Sequence, residues 1–451
     1  MQILSVKDIL KATDGALLCG GNETNIADIT TDSRKAGTGT LFVPLKGEKT
    51  DGHNFIHQAV GAGAISLTEK DIDIMDGTVI KVHDTKKALG DIARYYKEKY
   101  PLPSVAITGS VGKTTTKDMI SAVLGEKYNT HKTPNNFNND IGVPLTIFGI
   151  EEHHNMAVIE MGMNHFGEIE YLQDIARPDC AVITNIGMSH IENLGSREGI
   201  FRAKMEIVKN FTKDNTLFVN GDNEYLATIS DTDYNVVKFG IDSRNDIYAK
   251  DIKNNGLMGV EFTVVHKDGS FRVNVKQPGI HNIYNALSAI AVGLHMGVSE
   301  AQCSKGLENC QYTASRLEII KENGIEIIND CYNSSPDSVR AALRVMTQTT
   351  MPYKVAVLGD ILEMGEFAPK AHYELGVDVY DCGVDMLITA GKNATEIARG
   401  AKDSGMRNVI SYPTTDELVK DIKNLIKTES CVLIKASHGM EFIKLTEELK
   451  G

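Results

Sequence analysis

One short stretch of the chain combines glycines, a lysine and hydroxyls at a spacing suited to phosphate. It reads Thr108-Gly109-Ser110-Val111-Gly112-Lys113-Thr114-Thr115-Thr116. The apolar run Val105, Ala106, Ile107 comes before it, and Met119, Ile120, Ala122, Val123 and Leu124 follow at helical spacing. Strand, glycine loop, Gly-Lys-Thr and helix make the layout of a phosphate cradle. The glycines let backbone N–H groups approach phosphate oxygens, and the helix N-terminus adds partial positive charge at the same place. Lys113 can reach the outer phosphates, and the Thr114 hydroxyl can ligate Mg²⁺. The commoner form of this loop carries another glycine where Ile107 stands, so the loop is a variant.

Other groups able to do chemistry sit at the ends of buried apolar runs. Glu160 closes Val158-Ile159 and is either an acidic metal ligand beside the cradle or a strand-end carboxylate facing water. His190 follows the run ending at Thr184; it either ligates a metal or orients a phosphate, or is an ordinary loop histidine. Lys204 lies in a helical pattern and reads by base rate as a solvated lysine. The segment 133–144 is dense in asparagine, with Asn136, Asn138 and Asn139 at its centre. Amides both donate and accept, which suits a polar substrate as well as a plain turn. Asn282 and Asn285 open a helix after Pro278-Gly279, where Asn282 is equally a candidate N-cap. Asp330-Cys331-Tyr332-Asn333 follows a buried strand and precedes a helix starting at Pro336.

These groups need a large α/β frame. The chain has 451 residues, enough for about three domains. Its formal net charge of −13 argues against a nucleic-acid partner. No apolar run reaches the length of a membrane span, and the first residues do not read as a signal peptide. Seven scattered cysteines without a Cys-x-x-Cys suit reduced thiols and a cytoplasmic location. Residues 1–101 read as a small α/β module ending at Pro101 and Pro103, with Ser5 and Asp84 capping helices. Residues 102–314 alternate strand and helix, implying a parallel sheet covered on both faces. Three antiparallel strands over 246–276 follow, read as a small sheet of their own, with a hairpin turn at Lys267-Asp268-Gly269-Ser270. Residues 315–451 read as a second, doubly wound Rossmann-like unit with helices starting near Pro336, Pro369, Ala394, Thr415 and Met440.

Taken together, the segments resemble the Mur ligase superfamily of ATP-dependent amide ligases, over all three domains. Thr108-Gly109-x-x-Gly112-Lys113-Thr114-Thr115 is similar to that superfamily's variant loop. Thr31-Asp32-Ser33-Arg34, Lys46-Gly47 and Asp51-Gly52-His53 resemble its UDP-sugar-peptide-binding module. The asparagine segment, running into Leu145-Thr146-Ile147, resembles the branch that adds D-alanyl-D-alanine. The Asp-Asn-Pro-Arg motif of the sister branch, which adds the third peptide residue, is absent from the sequence. Asp330-x-Tyr332-Asn333-x-x-Pro336 and Leu358-Gly359-Asp360-x-x-Glu363-Met364-Gly365 match as well. One departure is Lys435-Ala436-Ser437-His438, where the family commonly has Lys-Gly-Ser-Arg. A permanent bidentate cation is there replaced by a group mostly neutral at pH 7.

The resemblance implies that a carboxylate is activated by ATP as an acyl-phosphate and captured by an amine. It implies ATP with two Mg²⁺ as cofactors, UDP-N-acetylmuramoyl-tripeptide and D-alanyl-D-alanine as substrates, and a cytoplasmic monomer. By the same resemblance Gly109, Ser110, Val111, Gly112, Lys113, Thr114 and Thr115 cradle phosphates. Thr114 and Glu160 hold one Mg²⁺; His190 and a carbamylated Lys204 hold the second. Asn282, Asn285, Arg316, Asp330 and Asn333 grip the nucleoside. Ser33, Arg34, Lys46, Gly47, Asp51, Gly52, His53, Asn136, Asn138, Asn139, Lys435 and His438 meet the other substrates. A phosphate-loop ATPase or nucleotide-dependent binding protein also accounts for Gly112-Lys113-Thr114, but leaves the N-terminal module and the Asp330 segment unexplained.

Overall fold

The computed structural model describes residues 1–451 apart from Glu48 and Met75. Its architecture follows the apolar runs. Ser104–Thr108, Met156–Glu160, Cys180–Ile183 and Thr216–Asn220 are buried along their whole length. Such strands need cover on both faces, which parallel pairing with crossover helices supplies.

They form the middle of a nine-stranded sheet. Its order is Gly269–Val275, Val260–His266, Ile247–Asn254, Asn235–Gly240, Thr216–Asn220, Cys180–Ile183, Ser104–Thr108, Met156–Glu160, Thr130–Lys132. The three antiparallel strands do not stand apart as a separate small sheet. Ile247–Asn254 pairs in parallel with Asn235–Gly240 through Phe239–Ile247 and Gly240–Tyr248, so they extend the parallel sheet. Alternate burial along Val260–His266 marks the change from a two-faced to a one-faced strand.

The N-terminal segment carries a five-stranded sheet of order Ala16–Cys19, Thr78–Lys81, Ile65–Thr68, Thr40–Phe42, Asp28–Thr30. Ser5 caps Val6–Thr13 in a reciprocal capping box with Asp8, and Asp84 caps Thr85–Lys99. The long helix joins this segment to the next: the buried Tyr96 hydroxyl accepts from Gln2 N and donates to Ile150 O.

The last segment holds a six-stranded sheet of order Glu318–Glu322, Ile325–Asn329, Ser430–Lys435, Tyr353–Gly359, Met386–Ala390, Val409–Tyr412. Its core strands lie where the apolar pattern puts them. The two edge strands, Glu318–Glu322 and Val409–Tyr412, carry polar and half-buried residues and lack the apolar run that announces a strand. His438–Met440 is one tight turn, and the final helix begins at Ile443. Among the described residues no helix is long and apolar enough to cross a membrane, and all seven cysteines are free.

Candidate functional site

The loop between Ser104–Thr108 and the helix Lys113–Gly125 turns through two glycines. Gly112 has φ +87°, a left-handed conformation that glycine adopts without strain, and a Cβ there would come 2.8 Å from Asn285 Oδ1. A Cβ on Gly109 would collide with Thr184 Oγ1. The neighbouring strand holds the loop from behind. Thr184 Oγ1 donates to Val111 O at 2.6 Å, Val111 N donates to Asn185 Oδ1 at 2.9 Å, and Ser110 N donates to Asn185 O at 3.1 Å. Asn285 braces it from the other side, accepting from Thr116 Oγ1 at 3.1 Å and donating to Asn282 Oδ1 at 2.8 Å.

Lys113 folds back on this loop, its Nζ donating to Gly109 O at 2.8 Å. Burial pulls its amine below the ordinary lysine value; Glu160 opposes that shift and Arg316 adds to it. Thr114 Oγ1 donates to Glu160 Oε1 at 3.3 Å, and Asn138 Nδ2 donates to the same oxygen at 2.9 Å. Arg316 Nη2 donates to Thr114 Oγ1 at 3.2 Å and the guanidinium stacks 4.0 Å from the Tyr332 ring centroid. Glu160 is buried, yet its Oε2 finds no hydrogen-bond partner.

His190 sits across the cavity with φ +63°, its Nδ1 2.6 Å from Glu363 Oε2. Burial lowers its pKa, and Glu363 pulls it the other way. Lys204 is fully buried rather than solvated. Burial, reinforced by the Lys113 cation, holds its amine well below the ordinary value.

A cavity of about 750 Å³ joins these groups. Ser110, Lys113, Asn136, Asn138, Asn139, Glu160 and His190 line it from the central sheet, and Arg316, Tyr332, Asn333, Glu363 and His438 from the last segment. Other residues named from the sequence lie elsewhere. Lys435 is buried, its ammonium bonded to Asp330 Oδ2 at 2.6 Å and to Asn333 O at 2.9 Å, while Asp330 Oδ1 accepts from Leu317 N at 3.1 Å. Both are therefore spent on each other beneath the cavity wall. Asn282 is inside its helix, not at the N-cap, and donates to Pro278 O at 2.7 Å. Ser33, Arg34, Lys46, Gly47, Asp51, Gly52 and His53 form part of the N-terminal segment and do not line this cavity. There Arg34 grips Asp32 through two bonds of 2.8 and 2.7 Å, and His53 Nδ1 lies 2.7 Å from Asp51 Oδ1.

Sequence reasoning passes over Thr184, Asn185 and Asp337. The first two fall inside the strand-end segment from which only His190 stands out. Asp337 Oδ2 accepts from Met188 N at 3.3 Å across the domain boundary, a pairing no local pattern announces.

The donor set suits a phosphate bound with a divalent cation. Glu160 Oε2 is an unpartnered buried oxygen beside the Thr114 hydroxyl. Among the described residues no three His, Cys, Asp or Glu side chains form a metal cluster on their own. A cation here would therefore draw further oxygens from phosphate and water, which is how Mg²⁺ is commonly held.

Comparison with known proteins agrees with this geometry. Residues 107–293 match the Mur ligase middle domain, 315–438 the Mur ligase glutamate ligase domain, and 25–97 the catalytic domain of the Mur ligase family. The UDP-N-acetylmuramoyl-tripeptide–D-alanyl-D-alanine ligase of Bacillus subtilis is 39% identical over 99% of this chain and 98% of its own. Its Escherichia coli counterpart is 34% identical over 95% of each chain. The crystal structure of MurF from Acinetobacter baumannii is similar with a TM-score of 0.92 and 33% identity, covering 100% of this chain and 99% of that one. MurF ligase from Thermotoga maritima, solved in complex with ADP, gives a TM-score of 0.83 at 27% identity over 94% and 97%.

Proposed function

Because the chain belongs to the Mur ligase family, we propose that it joins D-alanyl-D-alanine to UDP-N-acetylmuramoyl-tripeptide at the expense of ATP, a step of peptidoglycan precursor synthesis in the cytoplasm. The observation that carries this reading is the buried Glu160 carboxylate, one oxygen held by Thr114 and Asn138 and the other unpartnered, at the mouth of the phosphate loop. The full-length similarity to ligases of that name, together with the asparagine segment in the cavity wall, supports the choice of substrates.

A carboxylate is a poor electrophile, so the peptide's terminal carboxylate first attacks the γ-phosphorus of ATP, breaking its bond to the bridging oxygen so that ADP leaves and an acyl-phosphate forms. The amine of D-alanyl-D-alanine then attacks the acyl carbon, and phosphate leaves. The chain must hold anionic reactants close together in a protein of net charge −13. Lys113 and Arg316 supply local positive charge, and the loop amides supply donors that need no reorganisation. Thr114 and Glu160 would hold one Mg²⁺, and His190 would help hold a second. Such cations neutralise phosphate charge and polarise the oxygens they bind. Arg316, Tyr332 and Asn333 flank the nucleoside side, while Asn282 and Asn285 act through the loop they brace. Asp330 holds Lys435 and the backbone of Leu317 beside that wall.

Lys204 has the character needed for carbamylation. A buried amine whose ammonium form is disfavoured is the more nucleophilic toward CO₂, and the carbamate it would form is an anionic oxygen donor. The His53–Asp51 and Arg34–Asp32 pairs belong to the module that takes the UDP-sugar end.

Phosphate release with ATP, UDP-N-acetylmuramoyl-tripeptide and D-alanyl-D-alanine, omitting one component at a time, tests the proposal. Release is expected only with all three. Equal release with a single free amino acid in place of the dipeptide moves the assignment to the sister ligase, and release with ATP alone moves it to an ATPase.

A further inference from the structure

Beyond the Arg316–Thr114 bond, the last segment meets the stretch 187–192 beside the phosphate loop at three points. Asp337 Oδ2 accepts from Met188 N at 3.3 Å, and a Cβ on Gly187 would collide with that carboxylate. A Cβ on Gly365 would lie 2.9 Å from Glu192 Cγ. Between them Glu363 Oε2 meets His190 Nδ1 at 2.6 Å. His190 and Glu363 have φ of +63° and +62°, so two non-glycine residues in the left-handed region face each other across the boundary. Backbone conformations of that kind persist where surrounding contacts over-determine them, and they concentrate at working sites.

The pairing has a chemical consequence. A carboxylate 2.6 Å from Nδ1 draws the imidazole proton to that nitrogen and leaves the Nε2 lone pair available, although here the Nδ1–H is not aligned on Oε2 as a hydrogen bond. Metal-binding histidines ordinarily donate their second ring N–H to such a carboxylate, which orients the ring and raises its basicity. We propose that Glu363 is a positioning residue for the second divalent cation. Reaching across from the last segment, it sets the orientation and tautomer of His190, so that this cation's site is complete only when that segment is docked. The inference rests on the reading of His190 as a cation ligand.

The test is Mn²⁺ binding, followed by electron paramagnetic resonance and calorimetry, to the full chain saturated with the non-hydrolysable β,γ-methylene analogue of ATP. The wild type is expected to take two Mn²⁺. Glu363→Ala should weaken the second about ten- to hundred-fold and leave the first, at Thr114 and Glu160, unchanged. Glu363→Gln, which keeps an oxygen beside Nδ1 but no charge, should fall between, and it carries the test if the alanine variant does not fold. Parallel weakening of both ions marks a mere domain clamp and overturns the proposal, as does wild-type affinity for both in the variants. Phosphate release by the wild type reports separately on the ligase reading. Two Mn²⁺ without ligation overturns that reading alone, and a single Mn²⁺ in the wild type overturns this one.

Discussion

Replacing Glu160 by glutamine should move activity and stability in opposite directions. The carboxylate is buried, with Oε1 accepting from Thr114 Oγ1 at 3.3 Å and Asn138 Nδ2 at 2.9 Å, and Oε2 accepting from nothing. Glutamine keeps the shape and can keep the two bonds to Oε1. What it changes is the other terminus, where a charged, unpartnered oxygen becomes a neutral amide nitrogen. Leaving a buried polar group unmade costs about 1–3 kcal/mol, and more when the group is charged. The protein without ligands should thus be as stable as the wild type or about 1 kcal/mol more stable. On the proposed reading the variant would lose, in turnover, the oxygen that holds a cation and a negative charge beside the phosphate loop. Removing one preorganised electrostatic contact typically costs about 10²–10³-fold in kcat, or about 2.7–4 kcal/mol. Urea denaturation of the ligand-free protein reads the first effect, and phosphate release with all three substrates reads the second. A variant that keeps turnover within threefold, or that unfolds more than about 1 kcal/mol more easily, would falsify the idea that the structure keeps this oxygen unpaired for a cation.

Three further outcomes follow from the same geometry. Lys204 should give a carbamate carbonyl signal when the protein is equilibrated with ¹³C-bicarbonate, and Lys204→Met should abolish both that signal and turnover; an unmodified, active wild type removes the carbamate from the scheme. Arg316→Lys keeps the charge but loses the planar stack on Tyr332, so KM for ATP should rise about tenfold or less with kcat nearly unchanged; an unmoved KM separates that stack from nucleotide binding. Burial pulls His281 down to about 4, below its unfolded value of about 6.5, so the unfolded chain binds the extra proton and stability is lost as pH falls through that window. Acidifying from pH 7 to pH 5 should cost about 2 kcal/mol or somewhat less from this group, and His281→Gln should flatten the profile by that amount. A profile identical in the two proteins shows that His281 already meets solvent freely.

What the sequence discloses and what it hides divide along physical lines. Ser104–Thr108 and Met156–Glu160 are legible because burial on both faces demands an unbroken apolar run, and the phosphate loop because Gly112 needs a left-handed backbone. Glu318–Glu322 is not legible, since an edge strand is hydrogen-bonded on one side only and tolerates charged residues. Lys204 reads as a solvated lysine because nothing local separates a charged helix face from a lysine turned inward; tertiary packing decides it. Lys435 is hidden in a different way. Its motif suggests a cation that meets substrate, and the structure buries it with its ammonium 2.6 Å from Asp330, more than a hundred positions earlier in sequence. Pairings of that range follow from which strands lie side by side, here Ile325–Asn329 beside Ser430–Lys435, and strand order is not written in any one segment.

That long-range pair also bears on how the last segment is held. Asp330 anchors Lys435 and the backbone of Leu317, next to Arg316, which reaches back to Thr114 on the phosphate-loop helix. The ion pair is buried, so removing either partner strands the other, at a cost of about 3–5 kcal/mol. Its geometry therefore stiffens the base from which Arg316 projects. Arg316 in turn donates to the same hydroxyl that donates to Glu160. A cation bound by Glu160 and Thr114 would repel the guanidinium, which must then turn toward the phosphates or stay stacked on Tyr332. The hydroxyl cannot serve the guanidinium and a cation equally, so loading of the phosphate site and the position of the last segment are linked through one side chain. On this account Asp330→Asn should weaken nucleotide binding although Asp330 does not line the cavity. A variant that folds, binds ATP as the wild type does and keeps Arg316 on Thr114 would break the link.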